Sequence, residues 1–337
     1  MKTKLFRISS VVILVILILV MVTLTAGAIA KSVLAKQHPA PGQLVDVGGY
    51  KLHIHCTGQG SPTVILDAGL GDFSATWGLV QPEVTNAARV CSYDRAGYGW
   101  SDPSPRPRTI NMMAEELHTL LLNANIQGPY VLVGHSLGGL IVRVYTHNYP
   151  DEVVGMVLVD STHEEQYLRL ATAVPKYVDV QKSGVEQANG QYRLFRFLSS
   201  TGMMALIPQS IPNPGFSDDV FDQYKSIWAT TAFFETILSE GQALEGILAE
   251  ARALHITNFG DLPLIVLSAE FSGSNPDFSD AQNQQLGEIQ RILQSDLLAL
   301  SSNSKQIIAE QSSHYIQSEQ PELVIDAIRE MVDTLRK

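Results

Sequence analysis

A serine lies in a glycine-rich run, GHSLGG at positions 134–139. An apolar segment over 130–133 precedes this run, and a helical pattern over 140–145 follows it. Strand, sharp turn and helix in this order match the G-x-S-x-G elbow, whose glycines permit a strained turn and close helix packing. The elbow presents the hydroxyl at the carboxyl edge of a sheet, where helix amides favour negative charge. Ser136 is therefore predicted to be a nucleophile; the alternative is a glycine-rich strand-to-helix turn in another α/β protein.

Composition excludes several classes of protein. The chain has 337 residues, of which 45% are hydrophobic, enough for one large core with an insertion. Charged residues make up 17%, too few for an intrinsically disordered chain. The net charge is −11 and no basic stripe or nucleic-acid motif occurs, so we expect no nucleic-acid partner. The two cysteines lack metal-ligand spacing, and we expect neither a metal nor a cofactor.

The N-terminus carries a long apolar segment. Lys2, Lys4 and Arg7 precede residues 8–30, which contain no charge and would form a helix of about 34 Å. A bilayer core is about 30 Å thick, so residues 1–36 are predicted to be a membrane anchor with its linker, the linker composition running over 31–44. The preceding basic residues place the remaining chain outside the cytoplasm. The alternative is a signal peptide cleaved after small residues at 28–30, giving a secreted protein.

Strand and helix patterns alternate from Val45 onward. Short apolar strands between helices indicate an α/β protein with a mostly parallel sheet covered on both faces. The alternation predicts a core in two parts, 37–160 and 263–337. Between them, 161–262 has few strand signals and reads as a helical insertion that roofs the site. Its apolar side chains are expected to line that roof: Leu194, Phe195, Phe197, Leu198, Met203, Met204, Trp228, Phe233 and Phe234.

A serine nucleophile needs a base, and the base needs an acid that orients it. His314 follows the last predicted strand, so it lies at the same sheet edge as Ser136. Asp160 ends the strand predicted over 153–159, also at that edge, and is the preferred acid; otherwise it is a helix cap or surface carboxylate. The competing acids follow the strand predicted over 263–267: Glu270, Asp277 and Asp280.

Acyl transfer also needs donors for an oxyanion. The amide of Leu137, directly after the nucleophile, is one predicted donor. The second is expected in a glycine-containing loop after an early strand, DAGLG at 67–71, where we assign the amide of Leu70. A simple strand-to-loop turn is the alternative explanation of these glycines.

Together these residues resemble the α/β-hydrolase superfamily, in its cap-bearing, esterase- and lipase-like serine hydrolase branch. The similarity covers 45–337. It is most specific at 134–139, at His314 with the helix opening at Pro321, and in the segment DRAGYGWS at 94–101. The resemblance implies an α/β-hydrolase fold, a mostly parallel eight-stranded sheet flanked by helices with a helical cap.

The sequence departs from the family pattern in two places. Many members have His-Gly in the oxyanion loop, where this chain has Ala-Gly at 68–69; a backbone donor is all that the loop must supply. Many members carry the acid one strand later, where this chain reads Ser-Ala-Glu at 268–270. Others, including some haloalkane dehalogenases, carry it at the position of Asp160. The resemblance also implies that Asp94 and Arg95 are structural and bond loop backbone.

The resemblance implies hydrolysis, with ester cleavage as the default for a serine nucleophile. An apolar small molecule or a lipid-like ester is the expected substrate. Two alternatives remain open: a serine peptidase or amidase of the same fold, and a catalytically idle hydrolase fold that binds a partner. Fold alone does not separate these functions.

The two cysteines, Cys56 and Cys91, each end an apolar run. In the family's sheet the second strand lies beside the fourth, so the resemblance implies that the two residues can be neighbours. A disulfide would persist in an oxidising compartment. Two buried thiols are the alternative.

Overall fold

The computed structural model describes residues 2–211, 213, 216–270 and 275–337. Eight strands form one sheet in the order β1-β2-β4-β3-β5-β6-β7-β8. From β4 to β8 all neighbours are parallel, whereas β1 and β2 are antiparallel to each other and β2 is antiparallel to β4. The predicted mostly parallel, eight-stranded sheet is thus confirmed. The strands are β1 (Gln43–Asp46), β2 (Lys51–Thr57), β3 (Thr63–Asp67), β4 (Arg89–Tyr93), β5 (Tyr130–His135), β6 (Val153–Val159), β7 (Leu264–Ala269) and β8 (Ser304–Ala309).

Helices cover both faces of this sheet. On one face α3 and α4 pack on residues such as Leu132, and on the other α2 and α12 pack on Val131 and Val133. This alternation along β5 is the period of two that a strand buried on both sides requires. The helices are α1 (Lys2–Gln37), α2 (Gln81–Val84), α3 (Ile110–Asn123), α4 (Leu137–Asn148), α5 (Gln166–Ala173), α6 (Lys176–Ser200), α7 (Met203–Leu206), α8 (Asp218–Trp228), α9 (Thr231–Ala253), α10 (Asp280–Asp296), α11 (Ile316–Glu319) and α12 (Pro321–Leu335).

A helical cap lies between β6 and β7. In the described part of the chain it consists of α5 to α9, with no strand among them. The second half of α9 joins the main core through Ile247, Leu248 and Ala251. The cap is therefore held to the sheet by apolar packing as well as by its two chain connections.

The N-terminal helix α1 is longer than the sequence suggested. Residues 31–37, expected as linker, continue the helix, because Ala, Leu, Lys and Gln in this stretch favour helix and α1 packs on α7. The part Ser9–Gln37 is long and apolar enough to cross a membrane. Only 6% of its most apolar 18-residue stretch is buried against the rest of the protein.

Cys56 lies directly opposite Cys91 in the β2–β4 ladder. Their sulfur atoms are 2.08 Å apart, at disulfide distance. The expected adjacency of the second and fourth strands is confirmed, and with it the adjacency of the two cysteines.

Candidate active site

Ser136 occupies a sharp turn between β5 and α4. Its φ of 52° and ψ of −120° place it in a conformation that L-residues rarely adopt. A Cβ at Gly134 would lie 2.5 Å from the Gly138 carbonyl oxygen, and a Cβ at Gly138 would lie 2.5 Å from the Asp67 carbonyl oxygen. The glycines are thus required by close backbone approach, as the elbow motif predicts.

Two backbone amides near this turn have no acceptor among the described residues. Leu137 is the first residue of α4, where an N–H has no partner within the helix. The amide of Leu70 donates to no acceptor among the described residues, while its neighbours Gly71 and Asp72 donate to Tyr98 Oη and the Gly69 carbonyl. A Cβ at Gly69 would lie 3.2 Å from the Cβ of Ser136, so the loop passes close to the serine.

The loop that contains Leu70 is held by a buried arginine. Arg95 donates to the carbonyl oxygens of Ala68 (2.5 Å) and Gly69 (2.7 Å). It also forms ion pairs with Asp67 at 2.9 Å and with Glu240 of the cap at 3.0 Å. The structural role expected of Arg95 is confirmed.

Asp94 likewise bonds loop backbone. Its carboxylate accepts from the amides of Ser74 (2.7 Å) and Trp100 (3.0 Å) and contacts His53 Nδ1 at 2.8 Å. All of its carboxylate contacts are internal, and its side chain is fully buried. This residue is structural as well.

His314 and Asp160 meet at the carboxyl edge of the sheet. The Nδ1 atom of His314 lies 2.6 Å from Asp160 Oδ2, and the other oxygen, Oδ1, accepts from the Ala269 amide at 3.2 Å. Asp160 has a φ of 40°, and its amide donates to the Leu267 carbonyl at 2.7 Å. Of the candidate acids, Asp160 is the one whose carboxylate contacts the His314 ring.

The three alternative acids form no ion pair with His314. The backbone carbonyl of Asp277 accepts from Lys176, Asp280 begins α10, and Glu270 lines the cavity without an ion pair to His314.

Electrostatics favour the charged imidazole of His314. Burial opposes the charge, but the hydrogen bond to Asp160 and the charges of Asp160 and Asp72 outweigh it, so the pKa of His314 is raised above its ordinary value. A neutral His314 that donates from Nδ1 to Asp160 has its Nε2 lone pair free to accept a proton.

Ser136, His314 and Asp160 line one cavity of about 790 Å³. Its other walls come from the ends of β7 and β8 and from polar residues of α10, such as Gln294. None of the nine cap residues predicted as lining contributes to this cavity, so the apolar roof stays a prediction.

Those cap residues have other roles. Trp228, Phe233 and Phe234 pack on one another and on Phe73 and Tyr98 as an internal aromatic cluster. These three side chains lie between the cap and the loops below it, an arrangement that the helical pattern alone could not distinguish from a site lining.

A family profile of the alpha/beta hydrolase fold matches residues 62–325. The chain belongs to the α/β-hydrolase fold family. The matched region includes the elbow, Asp160 and His314. The fold of this α/β hydrolase is therefore shown by its sequence as well as by its strand order.

Two relatives of this α/β hydrolase are longer proteins. A Hormonema carpetanum protein named "Probable transporter efuK" is 27% identical over 311 residues, which are 86% of this chain and 42% of the relative. An uncharacterized vacuolar membrane protein of Saccharomyces cerevisiae (strain YJM789) is 39% identical over 138 residues, 36% of this chain and 21% of the relative. The chain spans less than half the length of either relative.

A solved structure shares the fold. A thermophilic esterase from Thermogutta terrifontis is 19% identical, with a TM-score of 0.54, and the alignment covers 88% of this chain and 99% of that one. At this identity the similarity concerns the fold and carries no statement about the substrate.

Sequence reasoning missed one polar pair in this α/β hydrolase. Asp72 Oδ2 lies 3.9 Å from His135 Nδ1, and both atoms are buried without a hydrogen-bond partner in the described structure. His135 Nε2 donates to the His314 carbonyl at 2.9 Å, which leaves Nδ1 as an acceptor. The pair could not be found in the sequence, because only the folded loop brings residue 72 beside residue 135.

Burial shifts the pKa values of both Asp72 and His135 toward their neutral forms. Burial raises the pKa of Asp72 to about 6, although the charges of Arg95 and His314 oppose this. Burial and the charge of His314 hold the pKa of His135 well below its ordinary value. Asp72 therefore carries its charge only near neutral pH and above, while His135 stays neutral.

No group of three or more His, Cys, Asp or Glu side chains in the described ranges is arranged to hold a metal ion.

Proposed function

We propose that this α/β hydrolase is a serine hydrolase that cleaves a carboxylic ester through an acyl-enzyme. One observation carries the proposal: a strained elbow serine and a histidine bonded to a carboxylate line the same cavity. Ser136 is the nucleophile, His314 the base and Asp160 the orienting acid. Strain of this kind is typically retained at sites where it serves function.

In the first half of the reaction, Ser136 Oγ attacks the ester carbonyl while His314 Nε2 takes the hydroxyl proton. The C–O bond to the alcohol then breaks, and the imidazolium returns the proton to the leaving alkoxide. In the second half, water attacks the acyl carbonyl and gives a proton to His314. The bond between the acyl carbon and Ser136 Oγ then breaks, the imidazolium returns the proton to Oγ, and the acid leaves. Asp160 fixes the Nδ1–H tautomer and stabilises the imidazolium throughout.

The amides of Leu70 and Leu137 are the proposed oxyanion donors. Neither amide has an acceptor in the part of the chain that the structure describes, which leaves both available to an oxyanion. Loss of one such donor typically costs about 10²–10³ in kcat. Arg95 is the positioning residue for Leu70, because it holds the two carbonyls that precede this amide.

Among the described residues, Ser136 Oγ has no hydrogen-bond partner. Catalytic hydrogen bonds in substrate-free enzymes are often loose and tighten when substrate binds. The proposal therefore requires His314, whose side chain is 45% exposed, to close on Ser136 when an ester occupies the cavity.

The cellular place of the enzyme is part of the proposal. Helix α1 is proposed to be a retained single-pass membrane anchor, with the hydrolase outside the cytoplasm. Carbonate extraction and protease accessibility of the full chain in spheroplasts test both statements. A soluble protein beginning near Lys31 would show signal cleavage instead.

A fluorophosphonate probe tests the chemistry, because it reacts with an activated serine and not with an idle fold. Peptide mass spectrometry should map the adduct to Ser136, and Ser136→Ala should abolish it. Ser183→Ala, an exposed serine on α6, is the matched control and should label fully. A panel of apolar and charged esters beside aminoacyl amides then separates an esterase from an amidase; preference for the amides would overturn the ester assignment.

A further inference from the structure

Helix α1 is clamped to the cap. Gly27 is buried against Gly202, the residue before α7; a Cβ at Gly27 would lie 2.7 Å from the Thr201 carbonyl oxygen. A Cβ at Gly202 would lie 2.3 Å from the Gly27 carbonyl carbon, so the two backbones touch. His38 lies eleven residues after Gly27, and its carbonyl accepts from Trp100 Nε1 at 3.3 Å. The helix therefore leaves the domain at a fixed angle and is not tethered by a loose linker.

The clamp lies at one end of the apolar segment. Gly27 is three residues before Ala30, the last residue of the uncharged stretch, or roughly 5 Å along the helix axis. The part of α1 that precedes the clamp, from Val11 to Leu24, is exposed along its whole length. If that part spans a bilayer, the cap residues beside Gly27 lie at the level where the hydrocarbon core meets the headgroups.

Apolar side chains are exposed at this level of the cap. We define the α7 patch as Phe197, Met203, Leu206 and Ile207, whose side chains are 60%, 36%, 40% and 41% exposed. They flank Gly202 within five residues on either side. Exposed large apolar side chains in such a cluster mark a binding surface.

The segment that carries the patch contains a single charge. Residues 194–211 contain a single charged side chain, Arg196, in a chain of net charge −11. Arg196 is half exposed, lies next to Phe197 in the chain and pairs with Glu235 at 3.9 Å. An exposed ion pair of this length is weak, so the guanidinium can turn to headgroups while its stem lies on apolar surface. An exposed apolar segment whose single charged residue is basic matches a phospholipid surface.

We propose that the α7 patch docks on the lipid bilayer beside α1, so that anchor and cap form one continuous membrane-contacting surface. The inference rests on the proposed retention of α1 and is independent of the chemistry at Ser136. It assigns the cap a membrane partner and fixes the orientation of the hydrolase relative to the bilayer.

Spin-label accessibility in the full chain tests the proposal. Phe197→Cys and Leu206→Cys are labelled after reconstitution into phosphatidylcholine–phosphatidylglycerol vesicles, with Cys56 and Cys91 left oxidised and the chain without an added cysteine as blank. Leu122→Cys, on α3 and 57% exposed, is the matched control. The ratio of oxygen to nickel-chelate accessibility should be severalfold higher at 197 and 206 than at 122, because oxygen concentrates in lipid and the chelate in water.

The clamp gives a second variant. Gly27→Leu keeps α1 apolar but cannot fit against Gly202, so the label at 197 should become accessible to the nickel chelate while the protein stays in the membrane. Ala28→Leu, at the neighbouring exposed position, is the control and should leave the label in lipid.

Three outcomes would overturn the proposal. If the oxygen-to-nickel-chelate ratio at 197 and 206 equals the ratio at 122, the patch does not touch lipid. Low accessibility to both reagents, with dipolar broadening, would show that a second copy covers it. Soluble protein beginning near Lys31 would remove α1 itself. Fluorophosphonate labelling of Ser136 in the same samples reports the proposed function separately.

Discussion

At the scale of single residues, the site is marked by backbone strain. Among the described residues, four non-glycine residues have positive φ, and two of them, Ser136 and Asp160, line the cavity. Such conformations cost of order 1–3 kcal/mol each and persist where the surroundings fix them. Here the fixing groups are the glycines around Ser136 and the hydrogen bonds that Asp160 makes to β7.

The charge of Asp72 should be visible in the pH profile. The base must be neutral to act, and its pKa is raised, so activity should fall with acid from a midpoint above the ordinary histidine value of about 6.5. Asp72→Asn removes a negative charge that favours the imidazolium, so the acid limb of kcat/KM should move to lower pH. The plateau at high pH should change little.

Asp326→Asn makes the same charge change on an exposed face of α12 and is the control for this measurement. An acid limb that stays in place in Asp72→Asn, or moves equally in the control, would contradict the role assigned to Asp72.

At the scale of elements, α9 joins the cap to the oxyanion loop through one carboxylate. Glu240 is fully buried and pairs with Arg95 at 3.0 Å and Arg108 at 2.8 Å. Although burial opposes its charge, the two guanidinium groups lower the pKa of Glu240 to about 2. The same Arg95 holds the loop that carries Leu70, so cap position and oxyanion geometry depend on one network.

Glu240→Ala should therefore destabilise the protein strongly. It takes a shared carboxylate from two buried guanidinium groups, which keep Asp67 at 2.9 Å and Glu116 at 3.5 Å as carboxylate partners. Breaking a buried pair costs about 3–5 kcal/mol. Denaturant unfolding measures the loss. Glu235→Ala on the same helix, with its side chain 55% exposed, is the control and should cost under about 1 kcal/mol. Equal losses in the two variants would refute the network.

The β2–β4 pair makes a second prediction at this scale. A disulfide between Cys56 and Cys91 closes a loop with a sequence separation of 35 and should stabilise the protein by ~3–4 kcal/mol in the chain-entropy model. The double variant Cys56→Ser/Cys91→Ser should lose that amount, and reduction of the wild type should give the same loss. Two alkylated thiols in unreduced protein from its native compartment would contradict the bond.

The sequence could predict those features that depend on residues adjacent in the chain. The elbow, β5 and the helix opening at Pro321 depend on residues adjacent in the chain, so pattern and glycine placement located them. Asp72 beside His135, and Glu240 beside Arg95, are contacts between distant segments that no local pattern contains. The role of the cap side chains is equally hard to predict, because helical periodicity shows that a face is apolar but not which surface it meets.

At the scale of the whole molecule, the sheet, the cap and helix α1 are connected to one another by buried contacts. The sheet carries Ser136, Asp160 and His314 at one edge, the cap is tied to that edge through Glu240, and α1 is clamped to the cap at Gly27. The family, the sheet and the apolar N-terminal helix agree with the sequence-based expectations. The extension of that helix to Gln37 does not, and it connects the apolar segment to the folded domain without a loose linker.

The most direct test of the central claim is kcat/KM for ester hydrolysis by Ser136→Ala, His314→Ala and the double variant. Each single change should lower kcat/KM by several orders of magnitude without unfolding the protein, and the double variant should be no worse than the singles, because the two side chains act as one unit. If Ser136→Ala keeps more than about a tenth of the wild-type value, or if the losses in the double variant add, Ser136 is not a nucleophile served by His314.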